Sequence, residues 1–168
     1  DTDSARQVLN RARLACPKSF SIWINAARLE EANDSTPKEI NAILTRGAAE
    51  LSAQGVDLSF EDWRKEAEDC ELGGDFVCAA ELIKIGVDLA LSTDSEGSKT
   101  KIIEYSKAPG NTPKCSRNAL TALLHRERDC KEAFIALLDL LEQKDDDDED
   151  SDNADYLKEL FEMTLETL

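Results

Sequence analysis

Five cysteines and one histidine are the side chains best suited to metal or nucleophilic chemistry. Cys16, Cys70, Cys78, Cys115 and Cys130 are odd in number, and no two form a Cys-x-x-Cys pair. A zinc site wants paired ligands matched by a second pair or by histidines, and the only histidine is His125. The pattern reads as free thiols in a reducing compartment, with cysteine serving as a compact apolar residue. His125 stands beside Arg126, Glu127 and Arg128, which reads as a solvated face rather than the base of a Ser–His–Asp set. There is no Gly-rich phosphate loop and no Gly-x-Ser-x-Gly. The run from Asp145 to Asp150 invites a calcium reading, but it lacks the glycine of an EF-hand loop. It reads as a self-repelling, solvated loop over 144–153, whose functional version is a docking strip for a basic peptide. These residues predict no enzyme, no cofactor, no metal and no small-molecule substrate.

The composition points to helices. The 168 residues include only four prolines and seven glycines, 33% are charged and 5% are aromatic. Strong helix formers dominate, and a core must come from aliphatic and small side chains. Acids outnumber bases 36 to 20, for a net charge of −16. A nucleic-acid groove needs clustered Lys and Arg, so direct RNA or DNA contact is disfavoured and a basic protein partner is favoured. No apolar run is long enough to span a membrane. The chain opens on Asp1 inside a helical pattern, which reads as a fragment of a longer protein.

Two repeats organise the chain. Trp23 and Trp63 stand forty residues apart, each with an alanine four residues on (Ala27, Ala67) and a glutamate eight residues on (Glu31, Glu71). Phe134 takes the same place later, with Glu142 at plus eight. We denote helices of this kind A. A second pattern sets apolar or small residues at offsets 0, 3, 4, 7 and 11, one side of a helix, and defines helices B. Its copies start at Ala5, Ile40, Ala79, Ser116 and Leu157. Offset seven is small in three copies, at Ala12, Gly47 and Gly86. Glycine inside a helix costs roughly 1 kcal/mol against alanine, so a close approach by a neighbouring helix is the expected compensation.

The breaks between patterns fit this alternation. Ser19 or Ser21 is placed to cap the helix of Trp23, and Pro37 to open the next. Ser59 with Asp62 is close to a capping box, and Gly73-Gly74 ends that helix. Ser92 to Ser98 reads as a polar break, followed by a weak helix near Ile102, Ile103 and Tyr105 that Pro109-Gly110 stops. About nine helices are expected, in the order B-A-B-A-B-A-B-A-B. Stacked pairs would complete one another's cores, giving an all-α solenoid with a concave surface.

The motif residues carry a family resemblance. Ala5-Arg6-Gln7-Val8-Leu9-Asn10-Arg11-Ala12, followed by Pro17 and then by Trp23 with Glu31, resembles the half-a-TPR (HAT) repeat. The run ARQVLNRARLACPKSFSIWINAARLEEAN, from Ala5 to Asn33, is similar to the pre-mRNA-processing factor 6 family, the HAT scaffold of the spliceosomal tri-snRNP. The stretch from Gln54 through Trp63 to Glu71 continues it. The resemblance is specific over 5–91 and thin over 92–168, so 1–91 reads as regular HAT repeats and 92–168 as degenerate pairs.

The resemblance implies a TPR-like superhelix of antiparallel helix pairs, in the nucleus, that bridges spliceosomal and snRNP proteins. It implies structural roles for the motif residues: Trp23, Trp63 and Phe134 pack between A and B helices, and Arg11 meets Glu31. Two other functions stay open. One is a HAT scaffold of another RNA-processing complex, in 3′-end processing or ribosome biogenesis. The other is a helical platform that binds RNA directly.

Overall fold

The structure is a computed structural model that describes residues 2–142. Those residues form eight α-helices and no strand: α1 (Thr2–Ala15), α2 (Phe20–Glu31), α3 (Pro37–Ala53), α4 (Phe60–Gly73), α5 (Phe76–Thr93), α6 (Ser95–Lys107), α7 (Pro113–Arg126) and α8 (Lys131–Glu142). The fifth B copy, from Leu157, and the acidic loop at 144–153 lie outside the described residues.

Local chemistry sets most boundaries. Pro37 opens α3 behind a full capping box of Thr36 and Glu39. Ser59 and Asp62 make the same reciprocal box at α4, and Gly74, at φ 88°, closes that helix in the left-handed region, where a Cβ would be strained. Two expectations are corrected. Ser19 does stand at the N-cap of α2, but it makes no side-chain cap bond; its hydroxyl instead meets that of Ser21 at 3.0 Å. The polar stretch from Ser92 to Ser98 is almost wholly helical. Asp94 alone separates α5 from α6, and its carboxylate accepts from the Gly97 N–H to start the second helix. A single acidic N-cap there does what a loop was expected to do.

Consecutive helices fold back on one another as α2–α3, α4–α5 and α6–α7, while α3, α5 and α7 lie side by side. The core follows from this order. The B offsets place Ile40 and Leu44 of α3, Ala79, Leu82 and Ile83 of α5, and Ala119, Leu120 and Leu123 of α7 in one continuous buried cluster with Trp63, and Leu51 of α3 is buried as well. Helix α5 is the hub, packed against α2, α3, α4, α6 and α7. The first B copy behaves differently: α1 packs on α2 but buries none of its residues. Its offset residue Val8 is 64% exposed, and α2 is the helix that packs most closely on α1.

The glycines at offset seven mark where A meets B. A Cβ built on Gly47 would fall 2.7 Å from Trp23 Cγ, and one on Gly86 would fall 2.6 Å from Trp63 Cβ. Each tryptophan thus rests on the bare backbone of its own pair's B helix. Gly86→Ala is expected to lower stability by about 1 kcal/mol, because overpacking against an atom next to the Trp63 backbone exceeds the gain in helix propensity. Urea unfolding of the variant checks the sign; stabilisation would mean that the two helices can move apart at little cost.

Candidate functional site

The motif residues converge on the joints between helix pairs. Trp23 (5% exposed) and Trp63 (fully buried) lie in the core with Ala27 and Ala67 one turn further along. Phe134 is only partly buried, at the edge of that core. Ala5 and Ala12 are half-buried on α1, while Arg6, Arg11 and Pro17 are exposed. Glu142 is the last residue of α8.

The expected Arg11–Glu31 contact does not form. Arg11 is exposed on α1, and the Glu31 carboxylate reaches forward to the next pair. Its two oxygens accept the Val77 N–H at 2.8 Å and the Cys78 N–H at 2.7 Å, in the first turn of α5. Glu71 repeats the arrangement one pair later, accepting the Lys114 N–H at 3.0 Å and the Cys115 N–H at 2.7 Å, in the first turn of α7. The first turn of a helix presents amides without intrahelical partners and a partial positive charge. A carboxylate that receives two of them makes charge-assisted bonds and acts as a cap supplied from a neighbouring pair.

The helices that receive these carboxylates have no side-chain cap of their own. Asp75 stands at the N-cap of α5 but makes no cap bond; it is ion-paired with Arg28 at 2.6 Å. Thr112 at the N-cap of α7 likewise makes none. Arg28 and Glu31, one turn apart on α2, therefore grip the start of α5 together. By contrast α3, which carries its own capping box, receives no such carboxylate.

Aromatic contacts run through the A helices in the same register. Phe20, the first residue of α2, meets Trp63 edge-on at 4.7 Å between ring centres. Phe60, the first residue of α4, meets Tyr105 of α6 edge-on at 5.9 Å. Tyr105 thus takes, on α6, the place that Trp63 takes against Phe20, a role the sequence did not assign to it. The spacing of Phe20 and Phe60, again forty residues, was the signal that could have found it. The Tyr105 hydroxyl donates to Glu68 Oε1 at 2.9 Å. Burial and the Glu68 carboxylate push its pKa well above the ordinary range, so it keeps its proton and remains a donor.

Beside Tyr105 an open groove of about 650 Å³ runs between α4, α5 and α6. Leu58, Phe60, Leu89 and Tyr105 give it apolar walls, and Glu61, Asp94 and Glu104 line it together with Arg64 and Lys101. Such a groove can hold an extended or helical segment of another chain by apolar contact and charge. Among the described residues no group of three or more His, Cys, Asp or Glu side chains is placed to hold a metal ion. No described helix is long and apolar enough to cross a membrane.

Several carboxylates are held below their ordinary range: Glu30 by the Arg6 guanidinium, Glu61 by Arg64 and Asp62 by the Ser59 cap. Each contributes stability that is present above the ordinary carboxylate pKa and is lost as pH falls through the lower folded value. Glu66 is raised by burial and opposes them weakly. Stability is therefore expected to fall as the pH drops below about 4. Urea midpoints measured down the pH scale should show the loss, and Glu30→Gln should make it shallower. An unchanged profile in that variant would remove Arg6–Glu30 from the account.

No protein-family model matches the chain, and no curated protein matches it.

Proposed function

We propose that this chain belongs to an α-solenoid of antiparallel helix pairs that works by binding other proteins, in the manner of the HAT-repeat bridging factor of the tri-snRNP. The observation that carries the reading is the recurring joint. Each regular A helix seats its tryptophan on a glycine of its own B helix and sends its glutamate to the B helix of the next pair. A unit that contacts its successor by a fixed rule can be extended along one axis, which is the basis of repeat scaffolds and their long binding surfaces. The resemblance over residues 5–91 adds the splicing assignment and a nuclear location.

The groove between α4, α5 and α6 is the proposed docking place. Its apolar walls, its three carboxylates against Arg64 and Lys101, and the chain's net charge of −16 suit an amphipathic segment of a basic partner protein better than a phosphate backbone. Affinity purification of the full-length protein is expected to recover tri-snRNP proteins with their small nuclear RNAs. Charge reversal at Glu104 combined with Leu89→Ala should weaken that recovery without lowering the melting temperature. Recovery of neither proteins nor RNAs in gentle salt would overturn the splicing assignment. Salt-sensitive binding of purified chain to bare RNA would point to an RNA platform instead.

A further inference from the structure

Two of the five cysteines form a pair that sequence spacing does not reveal. Cys70 lies in the last turn of α4 and Cys78 in the first turn of α5, on either side of the Gly73-Gly74-Asp75 turn. Their sulfurs are 3.8 Å apart, and both side chains are buried. Each cysteine faces the other across one helical hairpin, so side-chain rotation and a small shift of the turn suffice to reach the bonding distance of about 2 Å. The guanidinium of Arg28 is held against Asp75 at the same turn, which fixes the geometry of the hairpin around the two sulfurs.

We propose that Cys70 and Cys78 are a dithiol modification site, which a peroxide converts to an intramolecular disulfide joining α4 to α5. The turn supplies the entry route. Leu72, Gly73 and Gly74 are exposed, and local opening of such a turn admits an oxidant the size of hydrogen peroxide. The first thiolate attacks one peroxide oxygen; the O–O bond breaks, the sulfur becomes a sulfenic acid and one water leaves. The second sulfur then displaces the hydroxyl of that sulfenic acid, forming the S–S bond and releasing a second water. In sum two thiols and one peroxide give one disulfide and two waters. Burial and the neighbouring Cys70 sulfur push the Cys78 thiol up, and the disulfide formed is the same whichever of the two sulfurs attacks first. The new bond would fasten the same turn of α5 that Glu31 holds, adding a covalent tie to the joint.

The test is hydrogen peroxide titration of the folded wild-type chain, followed by unfolding, alkylation of remaining thiols and peptide mapping by mass spectrometry. The expected product is a single cross-linked peptide joining Cys70 to Cys78, lighter by two hydrogens and reversed by dithiothreitol. The same oxidation in denaturant should scatter the pairings among all five cysteines. The proposal fails if Cys70 and Cys78 are both still alkylated once the exposed Cys16 has been fully oxidised. It fails equally if the folded chain pairs either of them with Cys16, Cys115 or Cys130 as often as with each other. Cys78→Ala should abolish the cross-link and leave Cys70 oxidised or free; the wild-type mapping decides even where that variant folds poorly.

Discussion

Replacing Trp63 with alanine is expected to destabilise the chain by about 3–5 kcal/mol, the range for removing a large aromatic from a packed core. Trp63 is fully buried, meets Phe20 edge-on and rests on Gly86, so its loss opens a cavity bordered by three helices. Its indole Nε1 has no hydrogen-bond partner, and an unmade buried bond carries a penalty of about 1–3 kcal/mol. Trp63→Phe removes that penalty together with part of the ring, and should therefore cost much less than the alanine variant. Urea unfolding followed by far-ultraviolet circular dichroism measures both. The double variant Trp63→Ala with Gly86→Ala should be less damaging than the two single costs added, because the new methyl enters space the indole has left. A Trp63→Ala effect below about 0.5 kcal/mol, the size of an ordinary surface change, would contradict its place in the core.

Replacing Glu71 with alanine is the second large expectation, at about 2–3 kcal/mol. The variant leaves the Lys114 and Cys115 amides without their carboxylate, and charged hydrogen bonds of this kind contribute more than neutral ones. Helix α7 has no side-chain cap to fall back on. Glu71→Gln keeps the shape but turns an amide group toward one of the two N–H donors, so it should cost less than alanine and more than nothing. Thr112→Asp, which offers α7 a cap of its own, should recover about 1 kcal/mol in the Glu71→Ala background. Absence of any rescue would mean that the carboxylate acts by packing rather than by capping. Equilibrium unfolding reads the cost, and amide exchange at Lys114 and Cys115 shows whether it falls on the first turn of α7.

These two residues also show what the sequence could tell. The indole of Trp63 is large, apolar and periodic, so burial was legible from its type and spacing. The glycine beneath it was legible as a demand for close approach, though not which atom it admits. The recurrence of Glu31 and Glu71 marked them as important but not what they touch. Their partners are backbone amides more than forty residues away, and every residue but proline carries an amide, so the partner leaves no mark in composition. Arg11 was a natural guess because charge seeks charge; a helix start is a competing site for a carboxylate that carries no side-chain signature. Tyr105 was hidden by the change from tryptophan. Cys70 and Cys78 were hidden because a pair closed across a turn does not follow the spacing of a metal motif. The joint is where sequence reading stopped, since it depends on which helices become neighbours.

The forward reach of Glu31 and Glu71 gives the chain a direction in time. Each glutamate lies on a helix that leaves the ribosome before the helix it caps, and chains emerge at roughly 5–20 residues per second. When the first turn of α5 or α7 appears, its acceptor is already in place on a finished hairpin. Growth from the amino-terminal side can add each pair to a prepared template. Assembly in the opposite order would leave α5 and α7 with open first turns until their predecessors arrived, whereas α3, which brings its own cap, can start without help. The joint that holds neighbouring pairs together thus also orders their birth, and α3 marks a point from which that order can begin.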